Sequence, residues 1–237
     1  MQPDLNILLF SALSIGCMHT LLGPDHYLPF IMLAKAEKWS ISKTISVVIA
    51  CGLGHVFSSI ALGVLGIGLG IALTKLTGIE ALRANLAGWA VIAFGLAYSA
   101  WAFVQVSRKK PHVHVHVHAG GQLHSHAHNH THDHVHVHQS GSGRVLTPWV
   151  LFIIFAFGPC EPLIPLLIYP AAAYGVMGTI LIAALFSVVT IITMLALVLA
   201  GYYGLNELKG SWLEEYSPLL AGITILASGL GIQFLGL

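Results

Sequence analysis

One apolar run near the N-terminus holds residues that could bind a cation. The stretch HTLLGPDHYLPF, 19–30, sets His19, Asp25 and His26 around a Gly23-Pro24 pair. Imidazole and carboxylate are ligands of divalent metals, and ionisable groups inside a span mark ion paths or proton relays. In a regular helix His19 and His26, seven apart, share a face, while the neighbours Asp25 and His26 diverge. Pro24 removes a backbone donor and disturbs the preceding turn; Gly23 permits unusual dihedrals. Together they are expected to unwind the span, so that side chains and freed carbonyls converge on one ion. His55, in CGLGHVFSS, is the other histidine inside an apolar span and is expected to take part in the pathway.

A second stretch resembles the first. GPDHYLPFI starts at 23 and GPCEPLIPLL at 158, an offset of 135 residues. Both begin Gly-Pro, both continue to an acid (Asp25, then Glu161), and both carry further proline. The same offset aligns His55 with Thr190 and Ser58 with Thr193. Glu161 therefore joins the candidate metal ligands, with Cys17, Cys160 and Met194 as soft donors within reach of the same runs.

These residues need elements that cross a bilayer. The 237 residues are 56% hydrophobic and 8% charged, against about 25% charged in a soluble domain, and the mean hydropathy is +0.83. Six apolar segments, 5–34, 44–74, 84–106, 148–172, 174–204 and 217–236, are long enough for a spanning helix of about 20 residues. The expected fold is an all-α integral membrane protein. Its six transmembrane helices form two inverted three-helix repeats with helices 1 and 4 broken, because three crossings per half force opposite orientations. Domains follow: 1–106 the first repeat, 107–147 a His-rich loop, 148–237 the second repeat. Trp39, Trp101, Trp149 and Trp212 fall near span ends, where an interfacial belt would place them.

Eight Lys and Arg residues (Lys35, Lys38, Lys43, Arg108, Lys109, Lys110, Arg144 and Lys209) fall in the 1–2, 3–4 and 5–6 connections; Lys75 and Arg83 fall on the other face. The positive-inside bias puts both termini outside and the 3–4 loop in the cytoplasm of an inner-membrane, multi-pass protein. Lipid is then a partner. A net charge of +1 with no basic face argues against nucleic acid. Three cysteines without a CxxC pair argue against a disulfide framework.

The 3–4 connection carries twelve of the fifteen histidines: His112, His114, His116, His118, His124, His126, His128, His130, His132, His134, His136 and His138. Its Gly/Ser/Asn-rich composition reads as a mobile linker, with strand pairing of the His-Val alternation a secondary reading. Repeated imidazoles on such a chain bind Zn, Ni, Co or Cu. GVLGIGLG, 63–70, lacks the Lys-Ser/Thr of a phosphate loop and is read as helix packing.

HTLLGPDH in span one, GLGH in span two and FGPCEP in span four, in this order and with a His-rich loop, resemble the nickel/cobalt transporter superfamily, its UreH-like membrane proteins and His-rich exporters. The resemblance covers most of the chain. It departs in one place: five residues, where the family has four, separate His19 from Asp25-His26. By resemblance His19, Asp25 and His26 recognise the metal, His55 supports them, and the cargo is Ni²⁺ or Co²⁺, with Zn²⁺ also chemically suitable; no prosthetic cofactor is implied. The expected function is transport of that cation, with efflux coupled to protons carried by Asp25, Glu161 or His26. Uptake, or delivery of metal to a metalloenzyme with a metallochaperone as partner, are alternatives. A membrane thiol-disulfide carrier built on GPC at 158–160 is another. Export of a small organic or sulfur-oxyanion substrate would call for basic residues within the spans, and the span limits exclude all ten. No catalytic triad, Walker motif or dinucleotide fingerprint occurs, so the chain is not read as an enzyme.

Overall fold

Backbone polar groups in hydrocarbon must be satisfied within the chain, so long apolar runs become helices. The computed structural model describes residues 5–108, 112–117, 123–128, 142–158, 160, 162–208 and 210–235. The helices are α1 (Leu5–Leu22), α2 (Leu28–Ala36), α3 (Ile41–Gly68), α4 (Leu73–Arg108), α5 (Ser142–Phe157), α6 (Leu163–Glu207) and α7 (Ser211–Leu235). A 3₁₀ turn, Pro24–His26, joins α1 to α2. Among the described residues five helices, α1, α3, α4, α6 and α7, are long and apolar enough to cross a membrane. The protein is a helical multi-pass membrane protein, with large apolar side chains such as Phe10, Phe57 and Val176 on its outside.

The first break lies where Gly23-Pro24 predicts it. The second separates α5 from α6 around residues 158–162. α6 is itself two limbs. Gly175 has φ 64° and ψ −161°, outside the helical region. Position 63 of α3 faces Leu167, and position 52 faces Ile191 and Met194. Those eleven residues of α3 rise about 16 Å, while the matching 24 residues of a straight helix would rise about 36 Å. The chain therefore reverses at Gly175, and limb 163–174 lies back beside limb 176–207.

Small residues set the helix contacts. α4 and α7 run antiparallel: Gly95 lies on the Leu226 backbone, Gly222 on the Ser99 backbone and Gly229 on Ile92. Glycines seven apart on each helix let the two backbones approach, the usual packing device in membranes. Gly16 of α1 meets Phe186 and Thr190 of the second α6 limb, and Gly54 of α3 meets Phe152 and Ala156 of α5.

Three expectations change. Span three starts at Leu73, not 84, so Lys75 and Arg83 belong to α4 and not to a connection. Trp39 is 4% exposed and packs with Phe30, Leu33 and Val48; Tyr202 Oη donates to its carbonyl at 3.1 Å, so it is a packed core residue. The His-rich connection is not all linker: β1 (His112–Val117) and β2 (Leu123–His128) pair antiparallel, with His112, His114 and His116 opposite His128, His126 and His124. Alternating valine favours a pleated strand, which outweighs the polar composition. The segment given to that loop up to 147 also enters α5, which begins at Ser142.

A leucine at Gly222 would collide with the Ser99 backbone. Gly222→Leu is expected to lower the thermal unfolding midpoint in detergent sharply, an overpacking cost of about 1–3 kcal/mol or more. Gly78, on α4 with nothing within 4 Å of its would-be Cβ, is the control: Gly78→Ala raises or preserves the midpoint, since alanine is the better helix former by about 1 kcal/mol.

Candidate metal centre

The break at Gly23-Pro24 turns the divergence of neighbouring side chains to use. Gly23 N–H donates to the His19 carbonyl at 3.1 Å and closes α1; His26 N–H donates to the Gly23 carbonyl at 3.0 Å and closes the 3₁₀ turn. His26 is thereby swung against His19 and, on α3, His55. One ligand atom from each of the three rings lies within 4.8 Å of the others. Ring centroids are 4.7 Å apart for His19–His26, 5.3 Å for His26–His55 and 6.4 Å for His19–His55. His26 and His55 are each 4% exposed; His19 is half-buried.

Asp25 stands behind this cluster. Its Oδ1 is 3.2 Å from His26 Nδ1, which also lies 3.1 Å from the Gly23 carbonyl oxygen. Both partners accept, so Nδ1 carries a proton, and in the neutral ring Nε2 keeps its lone pair. A carboxylate holding the far nitrogen of a ligand imidazole is a recurrent way to fix its tautomer and raise its basicity. Asp25 thus orients His26. Gly23 must be glycine for this pair: a Cβ there would lie 2.5 Å from His26 Nδ1 and 2.9 Å from Asp25 Oδ1.

Buried polar atoms normally have partners. His26 Nε2 and both ring nitrogens of His55 have none among the described residues. A cavity of about 520 Å³ reaches the cluster, lined by His19, Asp25, His26 and His55 and by small residues of α4, Ala84, Ala87 and Gly88. Three convergent imidazoles, two of them with nitrogens that no described residue satisfies, make a candidate nitrogen-rich cation site, suited to Zn, Ni, Co or Cu over oxygen-seeking Mg or Ca.

The site leans on groups that the sequence reading missed. Arg83 Nη1 donates to Glu80 Oε1 at 2.6 Å, and Nη2 donates to Ser58 Oγ at 2.7 Å, the Ala156 carbonyl at 3.2 Å and the Gly158 carbonyl at 3.4 Å. Ser58 Oγ in turn donates to the His55 carbonyl. Arg83 ties α4 to the His55 turn of α3 and to the broken end of α5. Glu80 is 2% exposed, so Asp25 and Glu161 are not the only acids inside the spans. A Glu-x-x-Arg pair at helical spacing (80 and 83) just outside a span drawn from 84 was the available signal. Arg83 also supplies the basic residue in a span that an anion carrier would need, but its donors are committed to Glu80, serine and carbonyls.

Of the other candidates, Cys160 is buried with its Sγ 4.0 Å from His19 Nε2. Met194 packs in the apolar cluster with Cys51 and Val48. Thr190, aligned with His55 by the repeat, is fully buried and packs on Gly16. Glu161, His118, His130, His132, His134, His136 and His138 lie outside the described residues.

Removing the guanidinium in Arg83→Met leaves Glu80 buried without it, at a cost of about 3–5 kcal/mol; the double variant Glu80→Gln/Arg83→Met recovers much of the lost thermal midpoint. Gly23→Ala and Asp25→Ala act on His26 instead. Each is expected to weaken cobalt binding about 10–100-fold, the usual effect of losing an orienting partner, with little change in thermal midpoint. Titration of purified protein by the tetrahedral cobalt d–d absorption measures this, and unchanged affinity would contradict the orienting role. Comparison of the chain with protein-family models, with curated proteins and with solved structures gives no match.

Proposed function

We propose that this chain moves a divalent transition-metal ion, nickel or cobalt by its sequence resemblance to the nickel/cobalt transporter superfamily, across the cytoplasmic membrane. The observation that carries this reading is the meeting of three imidazoles, half-buried His19 and buried His26 and His55, the latter two with unpartnered nitrogens, at the break of an apolar helix. Intramembrane ligands at a broken helix are how many transporters hold an ion between two accesses.

In this reading the chain crosses six times, as two inverted halves. The packing supports it. Exchanging the halves turns the α1 contact with the second α6 limb into the α5 contact with α3. The same exchange leaves the α4–α7 and α3–α6 pairs matched to themselves. Rocking one half against the other would open the centre to each side in turn. Outward movement is favoured by the His-rich connection, which collects metal on the cytoplasmic side. Entry of a dication gains about 4.6 kcal/mol per 100 mV of inside-negative potential, so export runs against that and draws on a coupled gain such as proton entry. The thiol-disulfide alternative has weaker support: Cys51 and Cys160 pack in separate apolar clusters.

Cell-associated nickel, cobalt and zinc, measured by elemental mass spectrometry with and without expression, test the proposal. Expression of the wild type is expected to lower nickel or cobalt several-fold. His26→Ala abolishes the effect, and deletion of 112–138 reduces it. A rise that His26→Ala abolishes would make the protein an importer. A rise that survives His26→Ala but vanishes with the deletion would mean storage by the loop. No metal-dependent difference would sink the reading.

A further inference from the structure

We infer that Cys160 is a fourth ligand of the metal centre, so that the ion is held by three nitrogens and one sulfur. This rests on the transport reading and narrows its substrate to metals that accept thiolate. The three imidazoles come from α1, the 3₁₀ turn and α3, all in the first half of the chain. Cys160 comes from the break between α5 and α6, in the second.

Its placement is fixed by backbone bonds at both ends. Cys160 N–H donates to Ser59 Oγ at 3.1 Å, four residues beyond His55 on α3. Its carbonyl accepts from Leu163 N–H at 2.9 Å and so starts α6. Gly158, two residues earlier, lies beside His55: a Cβ there would stand 3.5 Å from His55 Nδ1. The chain thus wraps the cluster, and Cys160 arrives fully buried with Sγ 4.0 Å from His19 Nε2.

That spacing suits coordination. With metal–sulfur near 2.3 Å and metal–nitrogen near 2.0–2.1 Å, tetrahedral sulfur and nitrogen donors stand about 3.6 Å apart. The sulfur closes on His19 Nε2 by a few tenths of an ångström, and the three ring nitrogens, within 4.8 Å of one another, draw in by up to about 1.5 Å as they take up the ion. A buried cysteine alone is often only a small hydrophobe. Here the unpartnered nitrogens of His26 and His55, whose rings pack on the His19 ring that the sulfur approaches, independently call for an ion. The thiol proton leaves to solvent as the sulfur–metal bond forms. A three-nitrogen, one-sulfur set favours Zn²⁺, Co²⁺ and Ni²⁺ and disfavours Mg²⁺, Ca²⁺ and Mn²⁺. Because its donors come from both halves, it is complete only when they are closed on each other.

Cobalt absorption tests this on the full chain in detergent micelles with Co²⁺ as the only added ligand. The His-rich connection binds cobalt too, but residues 112–138 contain no cysteine, so a thiolate-to-cobalt charge-transfer band reports the three cysteines alone. The band is expected in wild type, Cys17→Ser and Cys51→Ser, and is lost in Cys160→Ser. Its presence in the wild type does not depend on any variant folding. No band in wild type, with tetrahedral d–d features that vanish in His55→Ala, would overturn the sulfur ligand and leave the histidine centre standing. A band that survives Cys160→Ser would overturn it as well. Cobalt spectra identical in wild type and His55→Ala would remove the transport reading itself.

Discussion

A helix break frees backbone groups that an apolar surround cannot satisfy, and the described residues show such breaks at Gly23-Pro24 and between α5 and α6. The first break is closed locally: the Gly23 and His26 N–H groups find carbonyls within one turn. The second is closed at long range. The Ala156 and Gly158 carbonyls accept from Arg83 of α4, and Cys160 N–H donates to Ser59 of α3. Both solutions converge on one place. Closing the first swings His26 toward His19 and His55; closing the second presses Gly158 and Cys160 against the same rings. The histidine cluster is thus a product of how each break meets its hydrogen-bonding requirement.

Arg83 can serve there because it does not stand alone. A guanidinium in low dielectric is costly unless paired and hydrogen-bonded throughout. Glu80 supplies the charge partner, and two serines with two carbonyls accept from the Nη1 and Nη2 groups. The α4–α7 glycine contact holds this brace in position: with backbones that close, α4 cannot easily rotate Arg83 away from α3 and α5. A packing motif on the far side of α4 therefore bears on the geometry of the rings.

Much of this was legible in the sequence where the cause is local. Gly23-Pro24 announced the break. The spacing of His19 and His26 announced a shared face, and the lengths of the apolar runs announced the helices. A boundary between 172 and 174 anticipated the reversal at Gly175. What escaped is tertiary. Limits drawn from apolar runs stop where charges flank the run, so Glu80 and Arg83 were left outside a helix that contains them. Trp39 carries the composition of an interfacial residue, but Phe30, Leu33 and Val48 bury it. Asp25 read as a ligand because its type is one, and only the 3₁₀ turn shows that its carboxylate is taken up by His26 Nδ1. The pairing of β1 with β2 depends on register, which histidine content does not express.

Charge balance links these pieces to the cargo. A dication among three neutral imidazoles, with one carboxylate behind them, retains one net positive charge. In a cluster whose rings are largely out of solvent, that residual charge weakens binding, since the medium does little to screen it. Arg83 adds nothing to it, because Glu80 neutralises the guanidinium. One further anionic donor would make the occupied centre neutral, and a thiolate at Cys160 is such a donor. The sulfur then does two things at once. In the proposed carrier it would balance the charge of the ion when the halves are closed, and its withdrawal with the α5–α6 break as they part would leave a weaker, positively charged three-histidine site. A carrier needs that change between holding and release, and here it would follow from one ligand belonging to the half that moves.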